Sequence, residues 1–346
     1  MSTKASEVSL ACFVSMVLLA LIVLYAVALG ASYSVWPLER QNYVDAEIGQ
    51  RSIYLTDARY LCLNLAGLRR RGPKVLVVGS SNARLGLRPN ELRPLLGGVE
   101  VDNLAVGGSN ISAVREVVEQ AYRNMPREDW PQATFLFGIN FRSFVPDSRL
   151  WPQGLTPLDA QGLRFAFYSS GPDGVVHPSL PPNWLPVRDL MRPFLLLGWA
   201  IRELHTYAVP EVDNDNSTLT QKQIAEQIDQ ERQVAGPFGP RWYDSFRQFV
   251  ELARYIAAHQ SRLVVLELPV PSWIRHGVPA FADFEARKGP VLEEVKAVPG
   301  VVYGSIADGF GDDTFFEAFH PRPRITKRWA ERASAVVLQS IPLREQ

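Results

Sequence analysis

The chain has 346 residues, 47% hydrophobic and 21% charged, enough for one large globular domain or two small ones. Its 36 basic and 36 acidic side chains cancel, so no overall field points to nucleic acid as a partner. The two cysteines, Cys12 and Cys62, offer neither a metal-ligand spacing nor a C-x-x-C, and Cys12 sits in an apolar segment that takes it away from Cys62.

From Leu10 to Ala31 no residue is charged, and the run L-L-A-L-I-V-L-Y-A-V-A-L is almost wholly apolar. A helical bilayer span needs about 20 such residues. A cleaved signal peptide has a shorter apolar centre, roughly 7–15 residues, so the segment reads as an uncleaved anchor. Lys4 and the amino terminus precede it, offset by Glu7, and Arg40 and Arg51 follow. That charge bias is weak. The expectation of an inside-facing N-terminus rests on the short leading tail, residues 1–9, and puts the body outside the cytoplasm, as for a periplasmic domain on a bacterial inner membrane.

Residues 32–72 form a membrane-proximal connector. It contains a helix that starts at Thr56-Asp57, lines up Leu61, Leu65 and Leu68, and stops at Gly72-Pro73. The basic run Arg69-Arg70-Arg71 suits a solvated helix end or a lipid headgroup contact. The pattern from residue 73 to 346 is α/β. Val75–Val78 is a short apolar run that reads as a buried parallel strand, followed by Gly79-Ser80-Ser81. Further strands are expected at Val99–Leu104, Ala133–Phe137, Leu263–Leu268 and Val301–Tyr303. A helix places Ile111, Val114, Val118 and Tyr122 on one face, and a closing helix from about Thr326 turns Trp329, Ala333, Val336 and Val337 inward. Strands alternating with helices predict a parallel sheet covered on both sides.

Residues 145–262 interrupt this pattern far beyond ordinary loop length. A Pro- and Gly-rich tract carries Trp151, His177 and Trp184, and a helix is expected over 188–207 with an apolar centre too short to span a membrane. A polar loop begins at Asp213. Two more helices follow, Gln221–Gln233 and Arg241–His259, the second with Phe246, Phe249, Leu252 and Tyr255 as a packing stripe. The whole segment reads as a helical cap over the sheet edge.

Polar blocks follow four of the strands: Ser80-Ser81, then N-L-A-V-G-G-S-N with Gly107-Gly108, then G-I-N ending at Asn140, then Glu317-Ala-Phe-His320. In a parallel sheet all four reach the carboxyl edge, where α/β proteins bind ligands. A serine hydroxyl becomes a useful nucleophile beside a general base, here His320, and a carboxylate can orient the imidazole. The Ser81 and Gly108 N–H groups and the Asn140 amide are candidates for an oxyanion hole. Plainer roles exist for each: Ser80 or Ser81 as a helix cap, Gly107-Gly108 as a tight turn, Asn140 as a cap. His177, His205, His259 and His276 are assigned structural roles.

The order G-S-S, N-x-x-x-G-G, G-x-N, acid-x-x-His resembles the SGNH (GDSL-like) hydrolase superfamily over residues 74–144 and 262–346. It is most similar to the branch holding the D-alanyl-lipoteichoic acid transfer protein and the alginate O-acetylation proteins. The resemblance implies a flavodoxin-like three-layer fold, Ser81 as nucleophile, His320 as base, and Ser81, Gly108 and Asn140 as the oxyanion hole. The family has Asp three residues before its histidine; this chain has Glu317, with Asp313 the runner-up acid. P-R-P-R after His320 replaces the small residues usual there. The implied activity is O-acyl transfer, most simply acetyl, onto an envelope polysaccharide or exopolysaccharide, with a multipass membrane acyltransferase as partner and no metal or organic cofactor. An esterase or deacetylase of the same fold and a non-catalytic scaffold are the alternatives. Arg84, Trp151, Trp184 and Arg322 are candidate substrate contacts. Arg322, Arg324, Lys327 and Arg328 suit a solvated helix start or an anionic polymer.

Overall fold

The computed structural model describes residues 3–35, 57–146, 164–165, 168–171, 173–178, 187, 190, 191, 193, 194 and 218–340. Trp151, Trp184, His205, most of the expected 188–207 helix and the polar loop from Asp213 lie outside the described residues. Helix α1 (Thr3–Val35) contains Leu10–Ala31, a stretch of mean hydropathy 2.8, none of it buried, long and apolar enough to cross a membrane. After it comes α2 (Asp57–Gly67), whose Leu61 and Leu65 point into the body together with Leu68 just beyond it.

The body is built on five parallel strands, β1 (Lys74–Gly79), β2 (Glu100–Asn103), β3 (Ala133–Ile139), β7 (Arg262–Glu267) and β8 (Val301–Ser305). They lie side by side in the order β2-β1-β3-β7-β8, all parallel. This is the flavodoxin-like doubly wound order, in which the chain reverses direction of winding between the first and third strands and leaves a crevice outside their carboxyl ends. The strands are continuous apolar runs because both faces are covered. Successive side chains alternate sides: Leu76, Val78, Phe135, Phe137, Leu263 and Val265 enter one core, and Val75, Val77, Leu136, Val264 and Leu266 the other.

Helices α3 (Ser81–Gly86), α4 (Pro89–Leu95) and α10 (Pro323–Val337) cover the second face. The closing helix starts three residues before Thr326 and buries Trp329, Ala333 and Val337, with Val336 half-buried. The opposite face is covered by α2, α5 (Ile111–Asn124), α7 (Pro240–Ala258) and α9 (Pro279–Lys296). Phe246, Phe249 and Leu252 of α7 are buried in that core, so the last helix of the 145–262 segment is the crossover between β3 and β7 and packs on the sheet itself. Of the described residues that precede it in the segment, α6 (Gln221–Ala235) is the element that reaches the Ser81 edge, through Gln227, Gln230 and Glu231.

Several elements went unanticipated. A small antiparallel sheet joins β4 (Arg164–Phe165), β5 (Tyr168–Ser170) and β6 (Val176–Pro178), strands too short to show a periodicity. Arg69 donates to the carbonyl oxygen of Val176 in β6 at 2.6 Å, so one member of the basic run ties α2 to this sheet. Helices α8 (Ser272–Gly277) and α9 follow β7 back to back, and α9 contains Pro290 in its interior.

Candidate active site

The turn from β1 into α3 presents Ser81. Gly79 adopts φ 139°, a region that disfavours any side chain, and an added Cβ would lie 2.8 Å from the carbonyl oxygen of Gly138 and 2.9 Å from Ala83 Cβ. Only glycine lets the chain turn this tightly against β3. Ser80 sits at the N-cap of α3 but makes no capping bond; its hydroxyl donates to Asn82 Oδ1 at 2.6 Å. Ser81, the first helical residue, is therefore free to point elsewhere.

Its hydroxyl meets His320, with Ser81 Oγ and His320 Nε2 2.6 Å apart. His320 Nδ1 bonds the Glu317 carboxylate. A carboxylate only accepts, so this bond places the imidazole proton on Nδ1 and leaves Nε2 to accept from the serine. The bond to His320 holds the Glu317 carboxyl below the usual carboxylate range. Asp313 takes no part in this chain of bonds; its backbone carbonyl accepts from Arg322 Nε at 2.7 Å.

The loop that carries Glu317 and His320 is braced at its base. Phe315 bridges Pro321, the Phe316 N–H donates to the His320 carbonyl oxygen, and the Arg322 N–H donates to the Thr314 carbonyl oxygen at 2.8 Å. Arg322 is thus buried and holds the loop shut, which corrects its reading as part of a solvated helix start. The P-R-P-R segment serves the same end, since Pro321 forms the bridge and Pro323 opens α10. Arg84 is likewise buried within α3, and desolvation lowers its pKa to about 10. Neither arginine is among the described residues that line the cavity in front of Ser81.

That cavity, about 190 Å³, is walled by Ser80, Ser81, Gly108, Ser109, Glu317 and His320 on one side. Gly108 has φ 69°, and the turn it shares with Gly107 both reverses the chain and delivers Gly108 to the cavity. Asn140 follows β3, whose register pairs Gly138 with Gly79, so Asn140 and Ser81 occupy equivalent places beyond adjacent strand ends. The Asn140 Oδ1 accepts the Arg142 N–H at 2.9 Å and caps the 3-10 helix Phe141–Phe144. The cap fixes the amide orientation, and Nδ2 is left buried with no hydrogen-bond partner among the described residues. Buried polar atoms without partners are rare, which makes this donor a candidate to meet a ligand oxygen. Asn140 itself lines a neighbouring cavity of about 300 Å³ at the ends of β3, β7 and β8. If the Ser81 site turns over an ester and Asn140 Nδ2 meets its oxyanion, Asn140→Asp, which keeps the capping oxygen and removes the donor, is expected to lower kcat about a hundred- to a thousandfold with little change in KM.

The far wall of the Ser81 cavity is a surprise. Arg142, Gln227, Gln230 and Glu231 line it, the last three from α6. Nothing in the polar sequence of α6 sets Glu231 apart from a solvated residue. Its burial raises its carboxyl pKa, against the pull of Arg142 and His320. Among the described residues there is no group of His, Cys, Asp and Glu fit to hold a metal ion. No protein-family model matches this chain, and no curated protein matches it.

Proposed function

We propose that the protein is a membrane-anchored acyltransferase working through an acyl-enzyme on Ser81. The observation that carries this reading is the unbroken chain of hydrogen bonds from Ser81 through His320 to Glu317, opening on a cavity at the carboxyl edge of the sheet. Ser81 Oγ attacks an ester carbonyl while His320 Nε2 takes its proton and Glu317 stabilises the imidazolium. The Ser81 and Gly108 N–H groups and Asn140 Nδ2 receive the oxyanion. The proton then goes from His320 to the leaving alcohol, and an acceptor hydroxyl repeats the cycle in reverse.

The likeness of the four blocks to SGNH hydrolases supports this assignment and extends it. The acceptor is then an envelope polysaccharide, and acyl groups come from a multipass acyltransferase in the same membrane. Leu10–Ala31 supplies the anchor, with the body on the extracytoplasmic side. Treating the detergent-solubilised full chain with a fluorophosphonate tests the nucleophile: mass spectrometry should find one adduct, on Ser81. An adduct on Ser80, or none, overturns the reading. Hydrolysis of a donor ester that no added polysaccharide slows or diverts would make the protein an esterase with the same site.

A further inference from the structure

We infer that Arg142, Glu231 and Gln227 form an acceptor subsite that grips an uncharged polyhydroxyl compound beside the acyl-enzyme. The inference rests on the acyl-enzyme reading of Ser81. All three residues line the same cavity as Ser81 and His320. The Glu231 side chain is only 6% exposed, and its Oε2 lies 3.4 Å from Arg142 Nε. Yet Glu231 Oε2, Arg142 Nη1 and Gln227 Oε1 are all buried without a hydrogen-bond partner among the described residues. An ion pair this enclosed normally satisfies its remaining lone pairs and protons within the protein. Here two acceptors and one donor are left over, and all belong to residues on one cavity wall.

The chemistry of the leftover atoms selects the ligand. A hydroxyl donates one hydrogen bond and accepts up to two, so neighbouring hydroxyls can bind a carboxylate and a guanidinium together. The charges of Arg142 and Glu231 cancel within the pair. An anionic acceptor would meet Glu231 and Glu317, and a cationic one would meet Arg142, so the wall suits a neutral sugar or polyol. One short turn also couples both halves of the reaction: Asn140 Oδ1 holds the Arg142 N–H, so the residue offering the oxyanion donor positions the residue that grips the acceptor. A hydroxyl held there attacks the acyl carbon. His320 Nε2 takes its proton, the Ser81 Oγ–acyl bond breaks, and the proton passes to Ser81 Oγ.

The test uses the full chain in detergent, p-nitrophenyl acetate as donor, and glycerol, 1-propanol or glycerate as acceptor, and measures transfer relative to hydrolysis for each. Glycerol and 1-propanol share a three-carbon chain, so their ratio isolates the extra hydroxyls. The wild type should favour glycerol over 1-propanol about tenfold and discriminate against glycerate. Glu231→Gln leaves the Arg142 charge uncompensated; it should lose most of the glycerol preference and raise the glycerate-to-glycerol ratio about tenfold. Gln227→Ala, at a half-exposed position, should lower the glycerol preference severalfold and serves if Glu231→Gln does not fold. Acetyl on Ser81 with no glycerol preference in the wild type overturns the subsite and leaves the nucleophile standing. Ratios unchanged in the variants also overturn it. No acetyl on Ser81 overturns the acyl-enzyme reading and the subsite with it.

Discussion

Ser81→Ala is expected to lower kcat/KM for ester turnover by about ten-thousandfold or more, which is about 5.5 kcal/mol of transition-state stabilisation. His320→Ala should cost about as much, and the double variant little more, because the two groups act as a unit: without the base the hydroxyl is inert, and without the hydroxyl the base has nothing to activate. Glu317→Gln should be milder, about a hundred- to a thousandfold. The Glu317 side chain is 46% exposed, so water partly replaces it. The loss that remains follows from the glutamine amide, which can donate to Nδ1 and so stabilise the imidazole tautomer whose Nε2 carries the proton and cannot accept one from Ser81. Steady-state hydrolysis of p-nitrophenyl acetate by the detergent-solubilised chain measures all four variants. Equal losses at Ser81 and His320 with a smaller loss at Glu317 fit the hydrogen-bond geometry. Turnover that survives Ser81→Ala would place the chemistry on another group of the chain and overturn Ser81 as the nucleophile, whereas a wild type without turnover would leave the fold as a scaffold.

The sheet was legible because its strands are buried on both sides, which writes them as uninterrupted runs such as Val75–Val78 and Ala133–Phe137. Their parallel arrangement followed from the intervening helices and short Gly or Pro turns. Short-range signals also delivered Ser81, Gly108, Asn140 and His320 to one edge, since each sits just past a strand or in the loop leaving one. The acid was harder. Glu317 and Asp313 lie in one loop of irregular backbone, and the choice between them depends on the Phe315–Pro321 bridge and the turn at Asp312–Thr314, which no periodicity encodes.

Charge misled where burial was decided by the backbone. Arg322 belongs to a basic cluster that reads as solvated, yet the carbonyl oxygen of Asp313 captures its Nε and the loop closes over it. Glu231 is the reverse case. It lies far along the chain from Ser81 in a helix of ordinary polar composition, and only the folding of α6 over the sheet edge brings it to the cavity. The residues proposed to carry the reaction were visible in sequence because they are tied to strand ends or to the loop leaving one. Residues that would choose the acceptor were not, because tertiary packing alone places them.

Asp102→Asn is expected to stabilise the protein above neutral pH, on the order of 4 kcal/mol, and to change little below pH 4. Asp102 lies on the edge strand β2, between Val101 and Asn103, and its side chain is directed to the opposite face from theirs. It is 1% exposed, and neither carboxylate oxygen has a hydrogen-bond partner among the described residues. Burial pushes its pKa from 3.8 up to about 7, with Arg93 opposing. The folded chain therefore holds a proton that the unfolded chain has already released between about pH 4 and pH 7. Stability from this group is fully present below the lower value and is lost as pH rises through the upper one, by about 1.4 kcal/mol for each pH step. Denaturation of wild type and Asp102→Asn followed by tryptophan fluorescence from pH 4 to 9 isolates the effect as their difference; a difference that does not vary with pH would show that Asp102 ionises normally. An inward-facing acid is one way a sheet protects an exposed edge from pairing with another chain. The cost falls on the strand that leads to Gly108: beyond β2 the Leu104 and Val106 N–H groups continue the ladder to the Val77 and Gly79 carbonyl oxygens and carry the chain to the cavity. If ionisation loosens that edge, ester turnover in the wild type should decline with β2 as pH rises through 7, while Asp102→Asn should hold its rate to higher pH.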